Sequence, residues 1–346
     1  MSERDGAKPT LLQNALLFLV AGIVSLTLGI AATEAWYFVS LRKSERWHDV
    51  NTHFDARLGW RPIPSRHVDE WGGVTSNARG FRSPESVPGT PVIAIAGDSV
   101  AFGYGVRDDQ TVSHHLAAIV RDRNLQVQNL AVSGYGLDQT YAWLGEHIGA
   151  LGEVRWVVLV IFTGNDLGET VANESWGKSK PLFALENGRL VETQAPISRY
   201  SLRNLMSRSE LLTGLRRSWP AFRDWSDDLA GREAYTGSEA LRLTGAVLQA
   251  IDRLTREHGA RLALALVPFK GDFQVENAPL RWFRQAARQL GRPTVDFHAL
   301  VSAEGLDVDA LYTDATHLTN AGNQLLAGAI ATELGLRSPA EPPGSS

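Results

Sequence analysis

The sequence predicts a doubly wound α/β domain, a three-layer sandwich with a mainly parallel sheet, preceded by one transmembrane helix. Apolar, β-branched runs at 92–96, 154–162 and 262–267 are typical of strands that are buried on both faces. Segments with helical apolar spacing alternate with these runs, and this alternation favours a parallel sheet. The transmembrane prediction rests on an uncharged run at 11–33, because about 20 apolar residues span the hydrocarbon of a bilayer.

Residues 1–45 are interpreted as a short cytoplasmic stub and a membrane anchor. The apolar run is longer than the hydrophobic region of a secretory signal, which has about 7–15 residues, but small residues at 29–32 leave a cleaved signal as the alternative. Three aromatic residues at 36–38 follow the run, and basic residues come next at positions 42, 43 and 46. Basic residues flank both ends, so the flanking charges do not decide the orientation.

Composition divides the rest of the chain. Residues 46–90, rich in Pro, Gly, Arg and Trp, predict an extended lead-in, and the α/β domain occupies 91–337. An insertion at 167–236 interrupts the alternation, and the tail at 338–346 is predicted to be disordered. Further strands are expected at 125–131 and 294–297, and helices at 111–122, 138–150, 239–258, 278–290 and 320–334.

Charge and cysteine content exclude several classes of function. The net charge is −4 and the chain has no long basic block, so nothing indicates a basic surface that would bind nucleic acid. We therefore expect no nucleic-acid partner. The chain has no cysteine, which excludes disulfides, thiolate nucleophiles and cysteine-based metal sites. We expect neither a metal nor a cofactor, and the chemistry must come from oxygen and nitrogen groups.

Ser99 stands where the first buried strand stops, in the sequence Gly97-Asp98-Ser99. In a doubly wound sheet, ligands bind beyond the carboxyl ends of the strands. The glycine permits a sharp exit from the strand, so the serine can face this crevice as a nucleophile. Asp and Ser also commonly turn a chain and cap a helix. A nucleophilic serine therefore needs a histidine and a carboxylate as partners.

Two histidines have an acidic neighbour. His317 lies in a loop just before a helix, and Asp314 precedes it by three residues, within reach of the imidazole once the loop turns. The alternative for His317 is a turn residue near the following helix cap. His298 and Asp296 are expected on one face of a strand end, which is equally consistent with a structural hydrogen bond.

Two more strand ends supply candidate donors for an oxyanion. The segment at 129–139 leaves its strand through Gly134 and Gly136, and the segment at 157–169 leaves through Gly164 and Asn165. Backbone N–H groups and asparagine amides hold a developing negative charge without carrying a charge themselves. Each segment alone is more often a turn. Together with the serine and histidine segments, at one end of one sheet, they predict an active site.

The ordered set of "GDS" at 97–99, "SGYG" at 133–136, "GND" at 164–166 and "DATH" at 314–317 resembles the four sequence blocks of the SGNH (GDSL-type) hydrolase family. The resemblance covers about residues 90–335. It implies a flavodoxin-like fold and an ester substrate hydrolysed through an acyl-enzyme. It also implies that Ser99 is the nucleophile, that His317 is the base oriented by Asp314, and that the Ser99 and Gly134 N–H groups and the Asn165 amide form the oxyanion hole.

The lead-in segments "DARLGWRPIPS" and "NARGFRSPE" are similar to a membrane-anchored bacterial subgroup that is often encoded with cell-surface polysaccharide machinery. This resemblance implies a single-pass protein of the bacterial inner membrane with a periplasmic catalytic domain. We expect a membrane-anchored serine esterase that removes a short acyl group, acetyl foremost, from a carbohydrate or another ester. The alternatives are an O-acyltransferase with the same triad and a catalytically idle envelope scaffold. Arg and Trp residues at 167–236 would suit an acidic sugar or a lipid headgroup, whereas a solvated, partly helical excursion is the alternative.

Overall fold

The structure is a computed structural model that describes residues 11–40, 51–69, 72–193, 196–206, 209–229 and 231–337. The predicted stub, the basic residues at 42, 43 and 46, and the tail predicted to be disordered lie outside the described residues. The first described element is helix α1 (Leu11–Ser40). Its stretch from Leu11 to Trp36 is long and apolar enough to cross a membrane, although a signal sequence has the same properties.

The described residues between 51 and 90 include two short antiparallel strand pairs. Strand β1 (Thr52–Asp55) pairs with β2 (Gly59–Pro62), and β3 (His67–Val68) pairs with β4 (Val74–Thr75). The Asp55 side chain closes the first turn by accepting a hydrogen bond from the Leu58 N–H at 2.7 Å. Leu58 and Trp60 are buried in the core of the domain. The lead-in therefore contributes core residues as well as an extended connection.

The α/β domain begins with the strand that precedes Ser99. Its first elements are β5 (Val92–Ala96), α2 (Ser99–Phe102), α3 (Val112–Val120), β6 (Gln126–Asn129), α4 (Leu137–His147), β7 (Val154–Phe162) and α5 (Asp166–Thr170). β5 and β7 have the predicted bounds. β6 is shorter than predicted, because the Asn129 side chain accepts a hydrogen bond from the Ala131 N–H at 3.1 Å and turns the chain out of the strand.

The insertion contains two hairpins followed by helices. β8 (Glu174–Ser175) pairs with β9 (Lys178–Ser179), β10 (Leu182–Glu186) pairs with β11 (Arg189–Thr193), and α6 (Leu202–Met206), α7 (Glu210–Ser218) and α8 (Pro220–Leu229) follow. Lys180 fastens the insertion to the start of α4. Its buried ammonium donates to Asp138 Oδ2 at 2.5 Å and to the carbonyl oxygens of Ala172 and Pro181 at 2.7 and 3.2 Å, so each of its three protons has an acceptor.

The chain then returns to the sheet through α9 (Gly237–Glu257), β12 (Arg261–Val267), α10 (Ala278–Leu290), β13 (Thr294–Asp296), α11 (Phe297–Glu304), α12 (Val308–Leu311) and α13 (Asn320–Glu333). α10 has the predicted bounds, because Asn277 caps its start and Gly291 ends it at a φ of +63°. The expectation that Asp296 and His298 share a strand face is wrong. β13 ends at Asp296, whose side chain caps α11, and His298 lies in the first turn of that helix.

The strands β5, β6, β7, β12 and β13 form one parallel sheet in the spatial order β13-β12-β7-β5-β6. Numbered along the chain from first to fifth, this order is 2-1-3-4-5, the arrangement of flavodoxin-like doubly wound folds. The predicted fold class is confirmed. β6, the next strand along the chain, lies on one side of β5, and β7, β12 and β13 lie on the other side. The carboxyl end of β5 is therefore the switch point at which such folds bind ligands.

Successive residues of β5 enter two different cores. Val92, Ala94 and Ala96 face the core that includes α4, α9 and α10, whereas Ile93 and Ile95 face the core that includes α3, α11 and α13. A strand covered on both faces must be apolar at every position. This explains the unbroken apolar run before Ser99, and it fixes the end of β5 rigidly within the sandwich.

Candidate active site

Ser99 begins α2 directly beyond the carboxyl end of β5. Gly97 makes this turn with a φ of +146°, and a Cβ added there would lie 2.5 Å from the carbonyl oxygen of Val160 in β7. Only glycine fits so close to a neighbouring backbone. Asp98 then caps α2, since its side chain accepts a hydrogen bond from the Val100 N–H at 2.9 Å. These local constraints place the Ser99 hydroxyl at the switch point.

His317 and Asp314 reach Ser99 through a chain of side-chain hydrogen bonds. The distance from Ser99 Oγ to His317 Nε2 is 3.1 Å, and that from His317 Nδ1 to Asp314 Oδ2 is 2.8 Å. The other oxygen of Asp314 accepts hydrogen bonds from the backbone N–H groups of Thr316 and His317, at 2.6 and 2.8 Å. This turn folds the loop so that two side chains three positions apart face each other.

The environment of Asp314 favours its charged form. Partial burial raises the pKa of its carboxyl, but the hydrogen bonds from the His317 ring and from two backbone N–H groups outweigh burial and hold the pKa at about 2. A charged Asp314 keeps the proton of the neutral imidazole on Nδ1, which leaves Nε2 free to accept the Ser99 proton. The Tyr104 ring stacks on His317 at a centroid distance of 4.4 Å and supports its orientation.

Gly134 lies in the loop after β6, and neighbouring segments hold it on several sides. Ser175 of β8 donates a hydrogen bond to the Gly134 carbonyl at 2.9 Å, and Trp60 Nε1 donates to the preceding carbonyl, of Ser133, at 3.2 Å. The φ of Gly134 is +80°, and a Cβ there would lie 3.1 Å from the Trp176 indole. The lead-in and the insertion thus both shape this loop.

Asn165 follows β7 and starts α5. Its carboxamide lies beside the carboxyl groups of Asp98 and Glu169; burial raises the pKa of both carboxyls, and the Asn165 hydrogen bonds oppose that rise. β6 and β7 are the two neighbours of β5 in the sheet, so the loops of Gly134 and Asn165 flank Ser99 at one edge. The structure therefore joins Ser99, His317 and Asp314 by direct hydrogen bonds, and it places Gly134 and Asn165 at the adjoining strand ends.

Sequence reasoning missed a group of buried carboxyls behind Ser99. Asp98 and Asp166 are buried, and Glu169, although half-buried as a residue, has a buried Oε2. Burial raises the pKa of Asp98, raises that of Asp166 well above its usual value with help from the neighbouring carboxylates, and raises that of Glu169 to about 8. One sequence feature could have predicted this group: the segments "GDS" and "GNDLGE" both place acidic residues directly after buried strands.

Comparisons with known proteins give a family and structural neighbours. The model of the GDSL-like lipase/acylhydrolase family matches residues 95–325. A catalytic mutant of Axe2, an acetylxylan esterase from Geobacillus stearothermophilus, has a TM-score of 0.44 and 16% identity, over 72% of this chain and 95% of that chain. A putative GDSL-like lipase from Parabacteroides merdae has a TM-score of 0.43 and 14% identity, over 72% of this chain and 97% of that chain.

The psychrotrophic esterase EstA from Pseudoalteromonas sp. has a TM-score of 0.39 and 11% identity, over 71% of this chain and 97% of that chain. No curated protein is significantly similar to the chain. The family match decides the assignment, because it spans more than half of the sequence. The chain belongs to the GDSL-like lipase/acylhydrolase family, and it is an ester hydrolase.

Proposed function

We propose that this protein is a membrane-anchored serine esterase that removes a short acyl group, acetyl foremost, from a carbohydrate. The observation that carries the proposal is the hydrogen-bond chain from Ser99 Oγ through the His317 ring to Asp314, with distances of 3.1 and 2.8 Å. A serine hydroxyl is a weak nucleophile until an adjacent base takes its proton, and this chain supplies an oriented base at the switch point of the fold.

In the proposed reaction, His317 Nε2 takes the Ser99 proton as Oγ attacks the ester carbonyl carbon. The N–H groups of Ser99 and Gly134 and the Asn165 amide hold the oxyanion of the tetrahedral intermediate. The intermediate collapses when the C–O bond to the alcohol breaks and His317 protonates the leaving oxygen. Water then attacks the acyl-enzyme, with His317 as the base, and releases the acid. Asp314 stays charged and stabilises the imidazolium.

The surroundings of Gly134 support a short acyl group and a sugar. Trp176 is 59% exposed, with a φ of +54° that is unusual for a bulky residue. Its indole and that of Trp60 both lie within 3.4 Å of a Cβ placed on Gly134, so they limit the room beside the oxyanion position. An exposed indole with an apolar face and a polar N–H suits the face of a sugar ring.

The location is proposed from α1. Its apolar stretch of 26 residues is long enough to span a bilayer and lies outside the core of the domain. A single span before the catalytic domain fits an anchor in the bacterial inner membrane, with the domain in the periplasm. We test this topology by protease protection of the full chain in spheroplasts, because protection of the catalytic domain from added protease would overturn a periplasmic location.

The chemistry is tested by hydrolysis of p-nitrophenyl acetate, butyrate and octanoate by the full chain in lipid nanodiscs. We expect Ser99→Ala and His317→Ala to lose at least about three orders of magnitude in turnover, with acetate as the best substrate of the unmodified protein. His53→Ala is the matched control, since His53 is exposed on β1. Hydrolysis that survives Ser99→Ala would overturn the proposal. Formation of an acylated sugar that outpaces hydrolysis when a glycan is added would identify an acyltransferase instead.

A further inference from the structure

The last helix of the insertion, α8, and the residue just before it carry an apolar surface, which we call the aromatic ridge: Trp219, Phe222, Trp225 and Leu229. Three of these side chains are mostly exposed, with Trp219 at 57%, Trp225 at 56% and Leu229 at 54%. The rings of Trp219 and Phe222 are 6.1 Å apart, and those of Phe222 and Trp225 are 5.5 Å apart. An exposed contiguous apolar surface of this kind marks an interaction site.

α8 is oriented opposite to an ordinary surface helix, which packs its apolar face on the core. Its buried residues are Ser226 and Asp227. Both hold Arg216 of α7, whose guanidinium lies 2.9 Å from Ser226 Oγ and 2.6 Å from Asp227 Oδ1. Two polar residues of α8 are therefore fixed against the protein, one of them by a largely buried ion pair, while three of the four ridge side chains stay mostly exposed.

The ridge lies close to the end of the candidate membrane span. Ser209 caps α7, since its side chain accepts a hydrogen bond from the Leu212 N–H at 3.0 Å, and its hydroxyl also hydrogen-bonds the Glu34 carboxylate of α1. α1 and α7 pack against each other. Glu34 is two residues before Trp36, where the apolar stretch ends. The start of α7 thus lies at the level where α1 would leave the hydrocarbon, and α8 packs against α7.

We propose that the aromatic ridge binds the lipid bilayer, with its rings in the boundary between headgroups and acyl chains beside α1. This inference rests on the proposed membrane anchoring. Tryptophan is favoured at this boundary, and amphipathic helices lie in it with their apolar face toward the lipid. A bilayer is favoured over a protein partner, because α8 packs on α7, and α7 packs on a helix whose apolar stretch is unburied and of membrane-spanning length.

The ridge also connects to the candidate active site. Arg216, which holds α8, lies 3.4 Å from the Glu174 carboxylate in β8. The next residue of β8, Ser175, donates to the Gly134 carbonyl. Burial of the ridge in lipid would therefore fix the height and the orientation of the loop that contains Gly134, relative to the bilayer. This would favour substrates presented close to the membrane surface.

The absence of native cysteine allows a direct test by single-cysteine spin labelling of the full chain. We would place nitroxides at Trp225→Cys and Leu229→Cys, in nanodiscs of phosphatidylethanolamine with phosphatidylglycerol. Leu19→Cys reports on α1, and Val275→Cys is the control at an exposed apolar position outside the insertion. Collision rates with oxygen, which concentrates in lipid, and with a water-soluble nickel chelate give the depth of each label. We expect the 225 and 229 labels to be several-fold better protected from nickel than the 275 label.

The outcomes separate this inference from the anchoring on which it rests. Labels at 225 and 229 that are as accessible to nickel as the 275 label, with the 19 label protected, would overturn the ridge proposal and leave the anchor intact. A 19 label accessible to nickel would overturn both proposals. Quenching of native tryptophan fluorescence by brominated lipid supplies a second readout without labels. Trp225→Phe should lower the quenched fraction, whereas Trp176→Phe, also at an exposed indole, should not.

Discussion

Carboxyl groups on two sides of Ser99 have the same chemistry but opposite environments. Asp314 has a side chain that is 51% exposed, and it accepts hydrogen bonds from the His317 ring and two backbone N–H groups, which hold its pKa at about 2. Behind the serine, burial raises the pKa of Asp98 and Asp166, and raises that of Glu169 to about 8. The number of donors and the access to water, rather than the residue type, decide which carboxyl is charged.

The buried group shows why its members cannot all ionise. Asp98 Oδ2, Asp166 Oδ1 and Glu169 Oε2 are buried oxygens without a hydrogen-bond partner among the described residues. Neighbouring carboxylates in a dry site raise one another's pKa, so protons stay on the group at neutral pH. In the proposed mechanism the exposed carboxylate serves His317 by its charge. Of the buried ones, Asp98 caps α2, and Asp166 accepts a hydrogen bond from the Phe162 N–H at 2.9 Å. Three substitutions test this contrast.

The largest effect is expected for Asp314→Asn. The amide keeps the shape of the side chain but favours the wrong imidazole tautomer, so kcat should fall by about four orders of magnitude with little change in Tm. We would measure p-nitrophenyl acetate turnover together with thermal unfolding. Asp309→Asn is the control, because Asp309 is an exposed carboxylate in a surface pair with Lys270. If Asp314→Asn kept a tenth of the activity, the charge of Asp314 would not serve the histidine.

The second effect is expected for Lys180→Met, which removes the cation beside another buried carboxyl, Asp138. Burial raises the pKa of Asp138 to about 6, and the Lys180 charge opposes that rise. Breaking a buried ion pair costs about 3–5 kcal/mol, so urea unfolding should show a loss of that size. Lys270→Met, at a surface pair, should cost at most about 1 kcal/mol. The Lys180→Met/Asp138→Leu protein should recover stability, and a single variant as stable as its parent would contradict the ion pair.

Local sequence signals predicted the sheet and the residues that meet at its edge. β5 and the part of β7 at 157–162 are buried on both faces, and each is an unbroken apolar run in the sequence. α10 carries its own start and stop signals in Asn277 and Gly291. The short segment from Asp314 to His317 folds on itself through the hydrogen bonds of one carboxylate, so spacing alone indicated that contact.

The features that the sequence did not predict depend on contacts between segments that are distant along the chain. From the sequence, Lys180 would be expected at the surface. In the structure it is buried, because the fold places Asp138, which is distant along the chain, beside it. Trp60 of the lead-in enters the core because its indole reaches the Ser133 carbonyl. Helical spacing shows that α8 has an apolar stripe, but only the contact of Asp227 with Arg216 shows that this stripe faces outward. Whether a polar side chain is buried depends on its hydrogen-bond and ionic partners, and the hydrophobic periodicity of a segment does not identify those partners.

The smallest effect is expected for Glu169→Gln, and it lies in the pH dependence of stability. The pKa of Glu169 is about 8 in the folded protein, against its usual 4.5. Between these values the folded protein holds a proton that the unfolded chain releases, so Glu169 makes the free energy of unfolding fall as pH rises from about 4.5 to 8. Glutamine stays neutral and keeps a donor, so the Tm of the variant should gain on its parent across this window, by about 2–4 °C for each kcal/mol that the parent loses. Glu146→Gln, at a surface carboxylate paired with Arg57, should show the same offset at both pH values. An equal offset for Glu169→Gln at pH 5 and pH 8 would mean that Glu169 is ionised throughout, and the carboxyl groups on the two sides of Ser99 would then not differ in charge.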